Sequence, residues 1–226
     1  DEQDFLTRMY RVLLPAYDPE RPLAEQVDQA SDAQILDARR VYREQADRVL
    51  AEKPGATLLI DKNPTSIVVL SLLTRVFPTA RVIVALRDPR DVCLSCFFQE
   101  FIPNPTNVYF NALDKALEMY QRIMDVWLAQ RDSLGLPILE WRYEAVTEDF
   151  EGNARRLIEF VGRPWDDAVL RFHEDAHRRY VSTPSYEAVP VLVHTKARGR
   201  SRRSESPLAP ILPGLEPYIR ALGYEV

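Results

Sequence analysis

The chain has 226 residues, 46% hydrophobic and 28% charged, with a formal net charge of −5. That length suits one α/β domain, residues 1–226, with a substantial core, and the acidic balance argues against a general nucleic-acid binder. Two cysteines exclude a disulfide framework and point to a reducing, cytoplasmic compartment, while no apolar run approaches the ~18–20 residues of a membrane span.

The opening DEQDFLTRMY is acidic and lacks an initiating Met, so no signal peptide is expected and the chain reads as a portion of a longer one. Residues 1–30 hold short apolar clusters broken by Pro15, Pro19 and Pro22, a pattern for a helix and a loop. Ser31 and Gln34 have capping-box spacing and predict a helix to about residue 53. After the Pro54-Gly55 turn, residues 57–61 read as the first strand, and Pro64 opens a helix to about residue 76. Residues 77–79 turn, and 81–86 form a near-continuous apolar strand of the kind parallel sheets cover on both faces. Asp88-Pro89 has the signature of an N-cap and first helical position, with the helix reaching about residue 100. Residues 104–107 read as a loop. A long amphipathic helix follows over 111–134, with Leu113, Leu117, Tyr120, Ile123, Met124 and Trp127 on one stripe and Gly135 at its end. A short strand at 137–141, helices at 150–161 and 166–173, an irregular basic stretch at 181–207 and a last helix over 208–222 complete the chain.

Polar groups gather where the strands run out. In an open α/β sheet, ligands bind outside the carboxyl ends of strands, and cations beside helix starts there suit a phosphate or sulfate group. Arg87 closes one strand, and Ser95 lies eight residues on, nearly two turns into the next helix. The planar fork of an arginine plus a hydroxyl suits a phosphate monoester; the bland alternative is an Arg87 pair with Asp91 or Asp88 in a surface cluster, with Ser95 as helix filler. Lys62 is a point charge at another strand end, or else half of a solvated Asp61/Lys62 pair. Tyr143 follows the 137–141 strand and would either cover a nucleobase or pack at the sheet rim. Lys196, Arg198, Arg200, Arg202 and Arg203 put five cations into eight residues around Gly199, which lets backbone amides approach an anion closely, unless the segment is simply a solvated basic loop. Cys93 and Cys96 have redox-pair spacing, but their apolar neighbours favour two small residues on a buried face.

Together DKNP at 61–64, FPTARVIVALRDPRDVCLSCFFQ at 77–99, WRYEAVTED at 141–149 and the basic glycine loop at 195–203 resemble the sulfotransferase family. The similarity is to the bacterial branch related to tyrosylprotein sulfotransferases, often found behind tetratricopeptide repeats. It implies a P-loop-NTPase-like three-layer fold around a mostly parallel sheet, and transfer of a sulfuryl group from 3′-phosphoadenosine 5′-phosphosulfate to a hydroxyl or amine of a small-molecule or peptide acceptor, without a metal. By resemblance, Arg87 and Ser95 bind the donor's 3′-phosphate, Lys62 lies near the sulfuryl group, Tyr143 near the adenine, and Lys196, Gly199 and Arg200 close over the 3′-phosphate. An upstream repeat domain is a possible companion on the same grounds. The sequence departs from the pattern in three places. Ser201 stands where the family's loop usually has tryptophan, Pro64 where the cytosolic branch has its catalytic histidine, and no glycine-rich 5′-phosphosulfate loop precedes residue 57. No base is named by the motifs, which leaves His173, His177 and His194 as candidates by elimination and a non-catalytic binding or interaction module as the alternative. A nucleoside-kinase reading is disfavoured because the Gly-Lys-Thr loop is absent. Residues 100–112 and 178–195 are expected to shape the acceptor pocket, with Phe97, Phe98, Phe101, Tyr109 and Tyr186 along it.

Overall fold

Ser31 starts α3 (Asp32–Ala51) through the predicted capping box: its hydroxyl accepts from the Gln34 amide at 3.3 Å, and the Gln34 side-chain oxygen accepts from the Ser31 amide at 3.0 Å. Gln34 Nε2 also donates to the Leu13 carbonyl at 3.1 Å, so one residue satisfies orphan groups at two helix ends. The computed structural model in which these bonds are seen describes residues 5–99, 107–172 and 208–225. The chain divides into one unit of residues 1–82 with 126–137 and a second of 83–125 with 138–226.

In the first unit, α1 (Phe5–Leu13), α2 (Leu23–Asp28), α3 and α4 (Leu70–Val76) close around Met9, Leu13, Val27, Ile35, Ala38, Leu72 and Val76. Tyr42 lies edge-on to both Phe5 and Phe77, with centroids 5.5 and 4.9 Å away. Arg39 Nε donates to the Val76 carbonyl at 2.9 Å and closes the end of α4. The strand expected at 57–61 does not form. Among the described residues the segment is not a strand, and Leu58 and Ile60 are 42% and 68% exposed. Apolar patterning favours a strand only where a neighbouring strand supplies hydrogen bonds. The helix expected from Pro64 begins as a 3-10 turn, Pro64–Val69, capped by Asn63, and becomes α-helical only at Leu70. The β-branched run Ile67-Val68-Val69, stiff at χ1, accounts for that late start.

β1 (Val82–Leu86) and β2 (Ile138–Arg142) pair side by side. The first amide of β1 donates to the Pro137 carbonyl just ahead of β2 at 2.9 Å, so the strands run in the same direction. Val82, Val84 and Leu86 are buried but Ala85 is exposed, so among the described residues β1 is covered on one face rather than the two expected. The chain is thus α/β with a small parallel sheet.

Asp88 caps α5 (Pro89–Phe97) and Pro89 fills its first position, as the sequence predicts. In the second unit, Leu113, Leu117 and Tyr120 of α6 (Leu113–Gln130) pack against Cys93, Leu94, Leu208, Ile211, Leu215 and Ile219. Gly135, at φ 64°, takes the left-handed turn beyond α6 that side chains disfavour. A helix not foreseen, α7 (Tyr143–Glu148), follows β2 directly, before α8 (Phe150–Phe160). The helix expected at 166–173 begins as a 3-10 turn, Asp167–Arg171, Phe172 after it is α-helical and residue 173 lies outside the described residues. The last described helix is α9 (Leu212–Ala221). No helix among the described residues is long and apolar enough to cross a membrane.

Candidate functional site

β1 ends at Leu86, and Arg87-Asp88-Pro89-Arg90-Asp91 turns the chain into α5. The Asp88 carboxylate accepts from the Arg90 amide at 2.9 Å and grips the Arg90 guanidinium, from Nε at 2.9 Å and Nη2 at 2.8 Å. This charge-assisted pairing holds the Arg90 guanidinium above its ordinary pKa. Asp91 is 1% exposed and forms an ion pair with Arg87 at 3.4 Å. The pairing that the sequence allowed as a surface cluster therefore exists, but around a carboxylate closed off from water. A buried carboxylate needs its counter-ion, so Asp91 holds Arg87 in place at the strand end.

β2 brings Tyr143 to the same place. Its ring lies 4.8 Å from the Arg87 guanidinium carbon, a cation–π contact. Ser95 follows Asp91 by four residues and so shares the face of α5 over which Arg87 is drawn. The Arg87 charge is felt further along that helix, at Cys96, where it partly offsets the effect of burial on the thiol. One end of the small sheet thus gathers Arg87 and Tyr143 in direct contact, beside the helix face that carries Ser95.

Lys62 lies in the first unit, exposed, between Asp61, which accepts from the Tyr42 hydroxyl at 3.2 Å, and the cap residue Asn63. Lys196, Gly199 and Arg200 lie outside the described residues, as do His173, His177, His194, Phe101 and Tyr186. Among the described residues no group of His, Cys, Asp and Glu is placed to hold a metal ion. Burial pushes the Cys93 thiol up to about 12 and the Cys96 thiol up to about 11, so both stay protonated at neutral pH, as two residues on a buried face should.

The sequence reading missed Glu144. Its Oε1 accepts from the Asp88 amide at 3.0 Å and its Oε2 from the Tyr224 hydroxyl at 2.9 Å. Its place directly after Tyr143 was the one available signal.

A sequence model described as the sulfotransferase family matches residues 3–167, well over half of the chain. The chain belongs to the sulfotransferase family. Among curated proteins, this sulfotransferase is 26% identical to protein-tyrosine sulfotransferase A of Caenorhabditis elegans over 133 residues, 58% of the chain and 34% of that protein. It is also 27% identical to an uncharacterized protein of Aquifex aeolicus (strain VF5) over 182 residues, 79% of the chain and 23% of that protein. The chain therefore spans about a quarter to a third of the curated relatives it matches. The region that the family model matches includes Lys62, Arg87, Ser95 and Tyr143.

Proposed function

We propose that this sulfotransferase uses 3′-phosphoadenosine 5′-phosphosulfate as donor and transfers its sulfuryl group to a hydroxyl or amine of a small molecule or peptide. The observation that carries the reading is the placement of Arg87 at the carboxyl end of β1, fixed by buried Asp91 and faced by the Tyr143 ring, over the α5 face that bears Ser95. In this reading Arg87 and Ser95 take the 3′-phosphate, the Tyr143 ring borders the adenine, and Lys62 meets the sulfuryl group. Lys196, Gly199 and Arg200 fold over the 3′-phosphate. The acceptor attacks sulfur and loses its proton. The bond from sulfur to the bridging phosphate oxygen breaks, and its electron pair leaves with adenosine 3′,5′-bisphosphate. Positioning and charge stabilisation supply most of the rate in such in-line transfers.

The family match crosses both structural units, which supports treating residues 1–226 as one sulfotransferase domain. The two free thiols support a cytoplasmic setting, and an upstream repeat domain belongs to the same proposal. Calorimetric titration with adenosine 3′,5′-bisphosphate tests the site. Arg87→Ala should weaken binding by roughly 10- to 100-fold, the loss expected for a charged hydrogen-bonding partner. Arg87→Lys should restore only part of it, because the ammonium lacks the guanidinium fork. An intact fold that binds no bisphosphate would instead favour a non-catalytic interaction module. Release of labelled bisphosphate from the donor in the presence of an acceptor tests transfer itself.

A further inference from the structure

We infer that Glu144 is a positioning residue for the 3′-phosphate half of this site, an inference that rests on the reading of Arg87, Ser95 and Tyr143 given above. Two strand ends must keep a fixed spacing if Arg87 and Tyr143 are to face one ligand. Glu144 sits one residue past Tyr143, and its Oε1 takes the amide of Asp88, one residue past Arg87, at 3.0 Å. A single carboxyl group therefore pins the chain neighbours of both contact residues. That Asp88 amide opens α5, where an unmet donor would be costly to leave in a part-buried setting.

The second oxygen of Glu144 extends the brace. Oε2 accepts from the Tyr224 hydroxyl at 2.9 Å, and burial, together with this bond to the Glu144 carboxylate, holds that phenol above its ordinary range. Arg142 Nη1 donates to the Leu222 carbonyl at 2.6 Å, and its guanidinium carbon lies 5.3 Å from the Tyr224 ring centroid. Arg90 Nη2 donates to the Glu225 carbonyl at 2.8 Å. Residues 222–225 are thus strapped through Glu144, Arg142 and Arg90 to the turn after β1 and to the end of β2, and Glu144 and Arg90 each bond both the turn and the strap. In this arrangement Glu144 acts by holding the two backbones that present Arg87 and Tyr143.

The test uses the full chain and two probes, adenosine 3′,5′-bisphosphate and adenosine 5′-monophosphate, which differ only in the 3′-phosphate. Glu144→Ala should weaken the bisphosphate about tenfold, comparable to losing one charge-assisted hydrogen bond, and weaken the monophosphate clearly less, because it loses only the Tyr143 contact with adenine. Glu144→Gln, which keeps an acceptor for the Asp88 amide, should recover most of the loss. Hydrogen exchange at the Asp88 amide should quicken in Glu144→Ala and stay slow in Glu144→Gln. Equal weakening of both nucleotides, or unchanged bisphosphate affinity in Glu144→Ala, overturns the inference. If Glu144→Ala fails to fold, Tyr224→Phe decides: it should show the same selective loss at smaller size, and a non-selective change or none counts against the brace. Arg87→Ala separates the two levels. Should it keep the preference for the bisphosphate, the site reading itself fails; should it lose that preference while Glu144→Ala does not, only the role of Glu144 is wrong.

Discussion

Asp91 has no direct role in the proposed chemistry, yet it decides where Arg87 points. With the carboxylate 1% exposed, removing it takes a buried ion-pair partner from the Arg87 guanidinium. Asp91→Ala is expected to lower stability by about 3 kcal/mol, the lower end for breaking a buried pair, measured by urea unfolding, with a smaller loss for Asp91→Asn. The four-residue spacing of Arg87 and Asp91 made this pair legible in the sequence. The Glu144–Tyr224 bond was not, because its partners stand 80 residues apart and no periodicity links them. Tyr143 shows a further limit. Its place after a strand marked it as a candidate, but only the pairing of β1 with β2 brings it to Arg87 rather than to some other rim of the sheet.

Helix ends were the most readable elements because their chemistry is local. Ser31 with Gln34, and Asp88 with Pro89, each set a boundary that the structure reproduces. Ser31→Ala should cost about 1 kcal/mol of stability, as loss of an N-cap generally does, while Ser31→Gly should cost only a few tenths. Both variants lack the hydroxyl, so comparing them by thermal unfolding measures how much of the loss comes from backbone conformation at the cap rather than from the side-chain oxygen. The segment 57–61 shows the opposite case. Its apolar run Leu58–Ile60 is real, but a strand is a relation between two segments, and no strand forms here among the described residues. The 3-10 start of the helix at Pro64 is a lesser miss: the first helical position was right, and the β-branched residues after it delayed the α-helical hydrogen bonds.

At the scale of the whole molecule, the acid groups held above their ordinary range are thiols and phenols closed off by packing. Burial raises Cys93 to about 12 and Cys96 to about 11, and raises Tyr10 and Tyr218 to about 12. Each folded-state value lies above the unfolded one, so the folded chain keeps protons that the unfolded chain has already released. Their contribution to stability is complete below about pH 8.5, where unfolded thiols begin to ionise, and is lost as pH rises through 11 to 12. Far-UV circular dichroism should therefore report alkaline unfolding over that interval, with tyrosinate absorbance rising in the same transition. At neutral pH a thiol-specific disulfide reagent should label the cysteines only after denaturant is added, and rapid labelling of the folded chain would contradict their burial.

From sequence came the α/β class, the caps that start α3 and α5, the Arg87–Ser95 spacing and the sulfotransferase resemblance, because these depend on residues near one another along the chain. Only the tertiary structure shows that Arg87 lies between Asp91 and Tyr143, that residues 57–61 form no strand among the described residues, and that Glu144 fastens residues 222–225 to the turn after β1. Those outcomes depend on which strand ends and which distant segments meet. Burial and hydrogen-bond satisfaction across the fold select such meetings, and local pattern carries no record of them.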